Sequence, residues 1–230
     1  MIRNEIRKIM WEVDRPRPKS GDSIHVDLGC GFLPRNPFNC SRLIAIDVLD
    51  PTEETRDFEY IKHDLTKSLP FESNSIDSIS AYDFLEHIPR WERVGETVTF
   101  PFVALMDEIY RVLKPGSGIL FAVTPLFPSE ASFSDPTHVN YVTSETVYYF
   151  ANSSHAKSLG YGFKGEFEII FSRALRGAGP YDDKYSLLET IFSKPYSIEA
   201  VVAVLKVMKR LMKRIFVRKP THILWVLLKN

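Results

Sequence analysis

Short apolar runs recur along the chain, and Gly, Pro, Asp or Ser bounds each of them. Near-continuous apolar runs are typical of strands that are buried on both faces of a sheet. Alternation of such strands with longer connections favours right-handed crossovers and an open, mostly parallel sheet. The pattern predicts seven strands, at Ile24 to Leu28, Leu43 to Val48, Phe58 to His63, Ile76 to Tyr82, Gly118 to Thr124, Glu166 to Ala174 and Thr221 to Asn230.

Helical periodicity appears between and after these strands. The segment FVALMDEIYRVLKPG has apolar residues at a helical period from Phe102 to Leu113, and Pro115 with Gly116 should end that helix. Ser144 to Ala151 is predicted to be a short helix, and Ser197 to Arg218 has the same period over a longer stretch. The strands and helices together predict an α/β fold.

Composition indicates an ordinary globular chain with one domain over residues 1–230, because 44% of the residues are hydrophobic and 25% are charged. The two cysteines, Cys30 and Cys40, form no CxxC pair and have no histidine at metal-ligand spacing, so we expect a reducing cytoplasm and no metal. Charges interrupt the N-terminal segment, which therefore does not resemble a signal peptide, and no apolar run is long enough to span a membrane.

Polar residues follow the ends of the first four predicted strands. VDLGCG, from Val26 to Gly31, places an acid and two glycines after the first strand, and Asp47 ends the second. Glycine allows the backbone to approach a ligand, and an acid at the end of a second strand accepts hydrogen bonds from ribose hydroxyls. Asp64 follows the third strand, and the end of the fourth has Tyr82, Asp83, Glu86 and His87. All of these residues should therefore meet at the ligand-binding edge of an open sheet.

This succession resembles the class I S-adenosylmethionine-dependent methyltransferases, in particular the small-molecule, type 11-like subgroup. The motifs are VDLGCG, the strand-two Asp, HDL with a following Leu-Pro-Phe turn, LEHI, and RVLKPG, all in that order between Ile24 and about Thr124. The resemblance implies a Rossmann-like methyltransferase fold, with helices on both faces of a mostly parallel seven-stranded sheet and a C-terminal antiparallel strand. It implies S-adenosylmethionine as cofactor. It also implies which residues line the cofactor: Asp27, Leu28, Gly29, Cys30 and Gly31 at the methionine part, Asp47 and Val48 at the ribose, Asp64 and Leu65 at the adenine, and Tyr82 near the sulfonium.

The chain departs from the family pattern after Gly31. Pro34 and Pro37 should break the helix that normally follows, so only a shortened helix fits before Leu43. A nicotinamide dehydrogenase is the weaker interpretation, because the fingerprint G-x-G-x-x-G requires glycine where this chain has Pro34.

The acceptor side should be formed by residues 125–160, a loop or cap after the fifth strand that is too long and too aromatic for a simple connector. The catalytic candidates are His138, Asp135 and His87, because a histidine is the usual general base for a hydroxyl acceptor near neutral pH. For each of them a purely structural role stays open. The aromatic residues that could wall an acceptor or serve only in packing are Phe127, Phe133, Tyr141, Tyr148 and Tyr149.

The last third of the chain carries an excess of positive charge. Residues 157–230 have 14 basic and 6 acidic residues, and residues 197–219 have seven Lys or Arg against one acid, Glu199. We predict a helical insertion over residues 177–221, between the last two strands. Its basic helix could contact an anionic membrane from the cytoplasmic side, cover the sheet as an ordinary surface helix, or gate the substrate; nucleic acid is disfavoured because few aromatic residues interleave with the charges.

Two functions follow from these patterns. The first is a methyltransferase that acts on a small-molecule acceptor, including one linked to a lipid or a sugar. The second is a catalytically silent methyltransferase-like module that binds a membrane surface or a protein partner through the basic helix. The intact acids Asp27, Asp47 and Asp64 favour the enzyme.

Overall fold

The computed structural model describes residues 22–51, 58–151, 162–175 and 220–230. Its helices are α1 (Pro101–Val112) and α2 (Tyr148–Ala151), and short 3-10 turns lie at Leu85–His87 and Glu130–Ser132. The strands are β1 (Ile24–Leu28), β2 (Arg42–Asp47), β3 (Glu59–Lys62), β4 (Ser78–Tyr82), β5 (Glu92–Val94), β6 (Thr97–Thr99), β7 (Ile119–Pro125), β8 (Phe167–Leu175) and β9 (His222–Lys229).

Seven strands form one sheet in the order β3-β2-β1-β4-β7-β9-β8. The first five strands of this order pair in parallel, whereas β9 lies antiparallel to both β7 and β8. The order reverses between β1 and β4, and such a switch point opens a crevice at the carboxyl ends of the strands. The mostly parallel seven-stranded sheet and the C-terminal antiparallel strand are therefore confirmed.

One face of the sheet packs against α1. Pro101 begins this helix at a position where its missing N–H costs nothing, and the helix ends at Val112 because Leu113 is extended two residues before Pro115. Its apolar stripe, which includes Met106 and Ile109, is fully buried, and each such side chain contributes about 1.5–3 kcal/mol to stability. The predicted helix over this segment is thus confirmed.

The segment between β1 and β2 covers the opposite face without a helix. Residues 29–41 contain only turns and bends, so the expected shortened helix is wrong. Pro34 and Pro37 donate no backbone hydrogen bond, and the Asn36 side chain closes a turn with the N–H and C=O of Cys40 instead. Phe38 then packs against His25 of β1 and Phe121 of β7.

The structure differs from the prediction at two further places. The hairpin of β5 and β6 was not predicted, and α2 is shorter than the predicted helix from Ser144 to Ala151, whose first half forms turns. Phe150 of α2 packs against Phe102 of α1, so both described helices lie on one side of the sheet. Helices on the other face, and the single-domain layout, stay predictions.

The basic helix from Ser197 to Arg218, and nearly all of the predicted insertion over residues 177–221, lie outside the described residues. The same holds for residues 152–160 of the predicted cap. Among the described residues, no helix is long and apolar enough to cross a membrane.

Candidate active site

The turn after β1 is built on two glycines with left-handed backbones. Gly29 has a φ of +63° and Gly31 a φ of +55°, a conformation that other residues adopt at a cost. The N–H groups of Gly29 and Cys30 both donate to the carbonyl of Ile46 on β2. A side chain at Gly29 would collide with Phe84, while the space above Gly31 is open within 4 Å. The open backbone at Gly31 is therefore where a ligand can approach the turn.

Asp47 joins this turn to the end of β2. Its carboxylate is almost buried and accepts the N–H of Gly31 at 2.9 Å and the N–H of Leu49 at 3.1 Å. A carboxylate offers about four acceptor sites, so two remain for the hydroxyls of a ribose. The neighbouring Val48 and Leu49 are exposed apolar side chains, which an adenosine could cover. This geometry fits the role that the resemblance implies for Asp47 and Val48.

Asp27 lies deeper than the sequence suggested. It has no exposed surface, and its two oxygens accept the Arg35 N–H at 2.8 Å and the Ser80 hydroxyl at 2.5 Å. Burial raises the pKa of Asp27 to about 6. What the structure shows is that Asp27 fixes the loop after Gly31 to the sheet. Its contact with the amino group of the cofactor stays a prediction.

The Asp27 network continues into a buried histidine. The Ser80 hydroxyl donates to Asp27, so Ser80 must accept from Nε2–H of His25, 2.8 Å away. Nδ1 of His25 then accepts the hydroxyl of Ser78 at 2.8 Å. Burial lowers the pKa of His25 to about 3, and the ring stays neutral. This chain of hydrogen bonds links β1 to β4 below the cofactor turn and satisfies every member, as buried polar networks require.

The remaining cofactor candidates surround the same edge of the sheet. Asp64 is exposed, and one of its oxygens accepts both the N–H and the hydroxyl of Thr66, which keeps its pKa below the usual range. Leu65 is buried beside it. Tyr82 packs against Phe121, and the Arg35 guanidinium lies 4.6 Å above its ring. Cys30 is buried, and burial raises the pKa of its thiol to about 12, so it stays a protonated thiol.

The acceptor side is formed by the 3-10 turn after β4 and the connection after β7. The backbone carbonyl of Glu86 accepts the backbone N–H groups of Val139 and Asn140. The side-chain amide of Asn140 donates to the backbone carbonyl of Leu85. Arg90 donates to the Asn140 side chain and to the carbonyl of Tyr141. These bonds attach the connection after β7, just beyond Asp135–His138 (DPTH), to the LEHI turn at Leu85–Ile88.

The three predicted catalytic residues are brought together by this attachment. The His87 ring lies edge-on to the His138 ring, with centroids 4.9 Å apart. Nδ1 of His87 is 3.0 Å from the Thr137 hydroxyl, which donates to Asp135 at 2.7 Å. Asp135 is exposed, caps its own turn and reaches His87 only through Thr137. The two histidines are therefore the central pair, and their catalytic role stays a prediction.

The sequence placed Glu86 at the end of the fourth strand but indicated no role for it. Its side chain is 1% exposed and lies 3.9 Å from Nε2 of His138, and its other oxygen accepts the hydroxyl of Thr124. Burial, with the nearby charges of Asp83 and Asp135, raises the pKa of Glu86 to about 8. A buried carboxyl with a strongly shifted pKa beside histidines is typical of functional sites. The signal available in the sequence was its position directly before His87.

Asp83 was also placed at this strand end without a role, and His222 was missed. Asp83 has a φ of +47°, which is uncommon for a residue other than glycine, and its Oδ1 lies 3.4 Å from Nε2 of His222 at the start of β9. Strained backbone at the end of a strand is often found at functional sites. The contact joins the end of β4 to β9, strands that are far apart in sequence.

Three exposed aromatic side chains lie on the connection after β7, which also carries His138. Phe127, Phe133 and Tyr141 contact one another with ring centroids 4.8 to 6.2 Å apart, and each is about half exposed. They are referred to below as the aromatic patch. Exposed apolar clusters of this kind often mark ligand sites.

Comparison with known families agrees with this arrangement. The family model described as a methyltransferase domain matches residues 26–121, which include the glycine turn, Asp47, Asp64 and the LEHI turn. Residues 26–121 therefore carry a methyltransferase domain. Its cofactor is S-adenosylmethionine, and its activity is methyl transfer. No curated protein sequence matches the chain.

Solved structures share the fold of this methyltransferase at low sequence identity. A SAM-dependent methyltransferase from Archaeoglobus fulgidus is 18% identical with a TM-score of 0.51, and the match covers 100% of this chain and 93% of that one. The [4+2]-cyclase SpnF is 16% identical with a TM-score of 0.53, over 98% and 80% of the two chains. Phosphoethanolamine N-methyltransferase 2 from Haemonchus contortus is 18% identical with a TM-score of 0.53, and the match covers 99% of this chain but only 52% of that protein. At such identities the likeness establishes the fold alone.

Proposed function

We propose that this methyltransferase transfers the methyl group of S-adenosylmethionine to a hydroxyl of a small-molecule acceptor, including one linked to a lipid or a sugar. The observation that carries the proposal is the contact between His87 and His138, which come from the connections at the carboxyl ends of β4 and β7. A hydroxyl is a weak nucleophile until it loses its proton, and histidines are the side chains best suited to promote that loss near neutral pH.

The cofactor supplies an electrophilic methyl group on a sulfonium, and the residues after β1 to β4 are placed to hold it. The open backbone at Gly31 and the spare acceptor sites of Asp47 fit the methionine and ribose parts. The exposed Asp64 and the buried Leu65 border the side on which the adenine would lie. Methyl transfer is an in-line displacement, so the main task of the protein is to position the acceptor oxygen against this methyl group.

The aromatic patch supports an acceptor with an apolar or sugar-like surface. Flat aromatic faces bind both aliphatic chains and the C–H faces of sugar rings. The LEHI turn anchors the segment that carries the patch through Arg90 and Asn140. The acceptor would therefore be bound on one side by the patch and on the other by the histidines.

The experiment is to incubate the chain with radiolabelled S-adenosylmethionine and a cell extract, and then to separate lipids, nucleic acids, proteins and small molecules. The proposal predicts label in the lipid or small-molecule fraction, in an ether that resists mild base. Label confined to protein or nucleic acid would contradict it.

The matched comparison is His138→Gln against His63→Gln. His63 is a partly exposed histidine whose ring bonds the carbonyl of Ser68, away from the LEHI turn. The proposal predicts that His138→Gln lowers transfer at least tenfold with unchanged cofactor affinity, and that His63→Gln has no effect. Equal transfer by both variants would remove His138 from the reaction.

A further inference from the structure

Three side chains of metal-ligating types converge next to the proposed acceptor position. Glu86, His87 and His138 each offer one ligand atom, and these atoms all lie within 4.8 Å of one another. Glu86 and His87 belong to the turn after β4, whereas His138 comes from the connection after β7. The cysteine spacings gave no reason to expect a metal, but this cluster is formed only by the fold.

The hydrogen bonds of both histidines leave Nε2 as a lone-pair atom. The Thr137 hydroxyl gives its proton to Asp135, so it can only accept from Nδ1–H of His87. The partner of Nδ1 of His138 is the carbonyl of Ser132, at 3.3 Å, and a carbonyl can only accept. Such contacts to the second ring nitrogen fix the tautomer of metal-binding histidines.

Glu86 supplies the second, independent observation. Its carboxyl is 1% exposed, and Oε2 accepts the hydroxyl of Thr124. Among the described residues, Oε1 has no hydrogen-bond partner, although it faces Nε2 of His138 at 3.9 Å. A buried polar atom without a partner calls for an explanation, and a bound ion is one that also uses the histidine nitrogen facing it.

We propose that Glu86, His87 and His138 form a binding site for a divalent first-row transition-metal ion such as Zn²⁺ or Mn²⁺. Two imidazoles and one carboxylate suit these ions, and the absence of thiolates among the three ligands disfavours Cu⁺. Metal–ligand bonds of about 2.1 Å place ligand atoms roughly 3 to 3.5 Å apart. To bind an ion, the ligand atoms have to move closer together by only about an ångström, which side-chain rotation can provide.

Three protein ligands leave coordination positions open, as in catalytic metal sites. The use of the ion in methyl transfer rests on the proposed function. In that use, the two histidines would promote loss of the hydroxyl proton through the ion and not as bases themselves. The acceptor hydroxyl would bind the ion, whose positive charge would lower the pKa of the hydroxyl. The acceptor oxygen forms the new C–O bond, the C–S bond breaks with its electron pair on sulfur, and the hydroxyl proton passes to solvent. No oxidant or reductant is needed.

The test measures Co²⁺ binding to the metal-free, tag-free chain by its visible absorption spectrum, and Zn²⁺ binding by calorimetry. The proposal predicts one equivalent of ion per chain and a Co²⁺ spectrum typical of nitrogen and oxygen ligands. Glu86→Gln and His138→Gln should each weaken binding at least tenfold, because ligand removal costs at least as much as the loss of an outer hydrogen bond. His63→Gln should bind like the wild type.

Binding of S-adenosylhomocysteine to each variant shows that the variant is folded, so lost metal binding cannot be mistaken for unfolding. A folded wild type that takes up no Co²⁺ or Zn²⁺ would overturn the proposal, as would equal binding by wild type, Glu86→Gln and His138→Gln. Metal binding is measured without an acceptor, so its failure is distinguishable from failure of the labelled-methyl experiment.

Discussion

At the scale of single residues, Asp27 and His25 are buried and both form a hydrogen bond with Ser80. The pKa of each is shifted in the direction that favours the neutral side chain. Burial raises the pKa of Asp27 from 3.8 to about 6 and lowers that of His25 from 6.5 to about 3. As the pH falls below 6.5, His25 binds a proton in the unfolded chain but not in the folded chain, so the free energy of unfolding decreases. As the pH falls below about 6, the folded chain takes up a proton at Asp27 first, so stability rises.

The two effects oppose each other between about pH 6 and pH 4. We predict that Asp27→Asn removes the gain in stability that protonation of Asp27 provides as the pH falls. The loss of stability due to His25 then remains without this compensation. In urea unfolding of the cofactor-free chain, the variant should lose up to roughly 1.4 kcal/mol per pH unit more than the wild type over this range. Asp50→Asn, at an exposed carboxylate, should follow the wild-type curve. Parallel curves for Asp27→Asn and the wild type would show that the pKa of Asp27 is not raised in the folded chain.

At the scale of elements, the turn from β1 to β2 offers a matched pair of glycines. Both have positive φ, so an alanine at either costs about 1 kcal/mol or more in backbone strain. Only at Gly29 would the new Cβ collide with a side chain, at 2.2 Å from a ring carbon of Phe84.

We predict that Gly29→Ala lowers the free energy of unfolding by at least about 1–3 kcal/mol more than Gly31→Ala, because of overpacking. Thermal or urea unfolding measures the difference. Gly31→Ala should instead weaken cofactor binding, since its Cβ would occupy the open space above the turn. Equal destabilisation by the two variants would contradict this description of the turn.

The sheet was predictable from the sequence because its strands are continuous apolar runs with distinct ends. β1 was predicted with its observed bounds, and the other six strands of the sheet within a few residues. The hairpin β5–β6 was missed because its strands have three residues each, with mostly exposed side chains, so no burial pattern marks them. The turns after Gly31 were predicted only in part: Pro34 and Pro37 indicated a broken helix, but the Asn36 turn that replaces it depends on a side-chain bond that periodicity cannot reveal.

At the scale of the whole molecule, the acceptor side depends on contacts between two connections that are about fifty residues apart. Arg90 donates to the Asn140 side chain at 2.7 Å and to the Tyr141 carbonyl at 2.6 Å. These two bonds hold the segment that contains His138 and the aromatic patch against the LEHI turn.

We predict that Arg90→Ala loosens this segment without unfolding the sheet. Hydrogen–deuterium exchange at the amides of Val139 and Asn140, which donate to Glu86, should become about tenfold faster, because bonds to a charged group are worth about 1.5 kcal/mol or more. Arg42→Ala, which removes an exposed ion pair with Glu59, is the control and should leave both amides unchanged. Unchanged exchange in Arg90→Ala would mean that other contacts hold the segment.

The sequence indicated the cofactor side better than the acceptor side for a physical reason. The acids and glycines of the cofactor side lie at strand ends. The carboxyl ends of parallel strands meet at one edge of the sheet, independently of the conformation of the loops. Glu86 and His138 come together because the connections after β4 and β7 pack against each other. Neither their spacing in the sequence nor a hydrophobic periodicity predicts this contact. The basic helix lies outside the described residues, so contact with an anionic membrane stays a prediction.

The central claim is that the domain binds S-adenosylmethionine across the ends of β1 to β4, with Asp47 at the ribose. Calorimetric titration with S-adenosylhomocysteine of the wild type, Asp47→Ala and Asp50→Ala tests it most directly. Asp50 lies three residues further on and pairs only with exposed Lys62 among the described residues. We expect stoichiometric binding by the wild type, roughly ten- to a hundredfold weaker binding by Asp47→Ala, and wild-type affinity for Asp50→Ala. Wild-type affinity in a folded Asp47→Ala variant, or no binding by the wild type, would contradict the account.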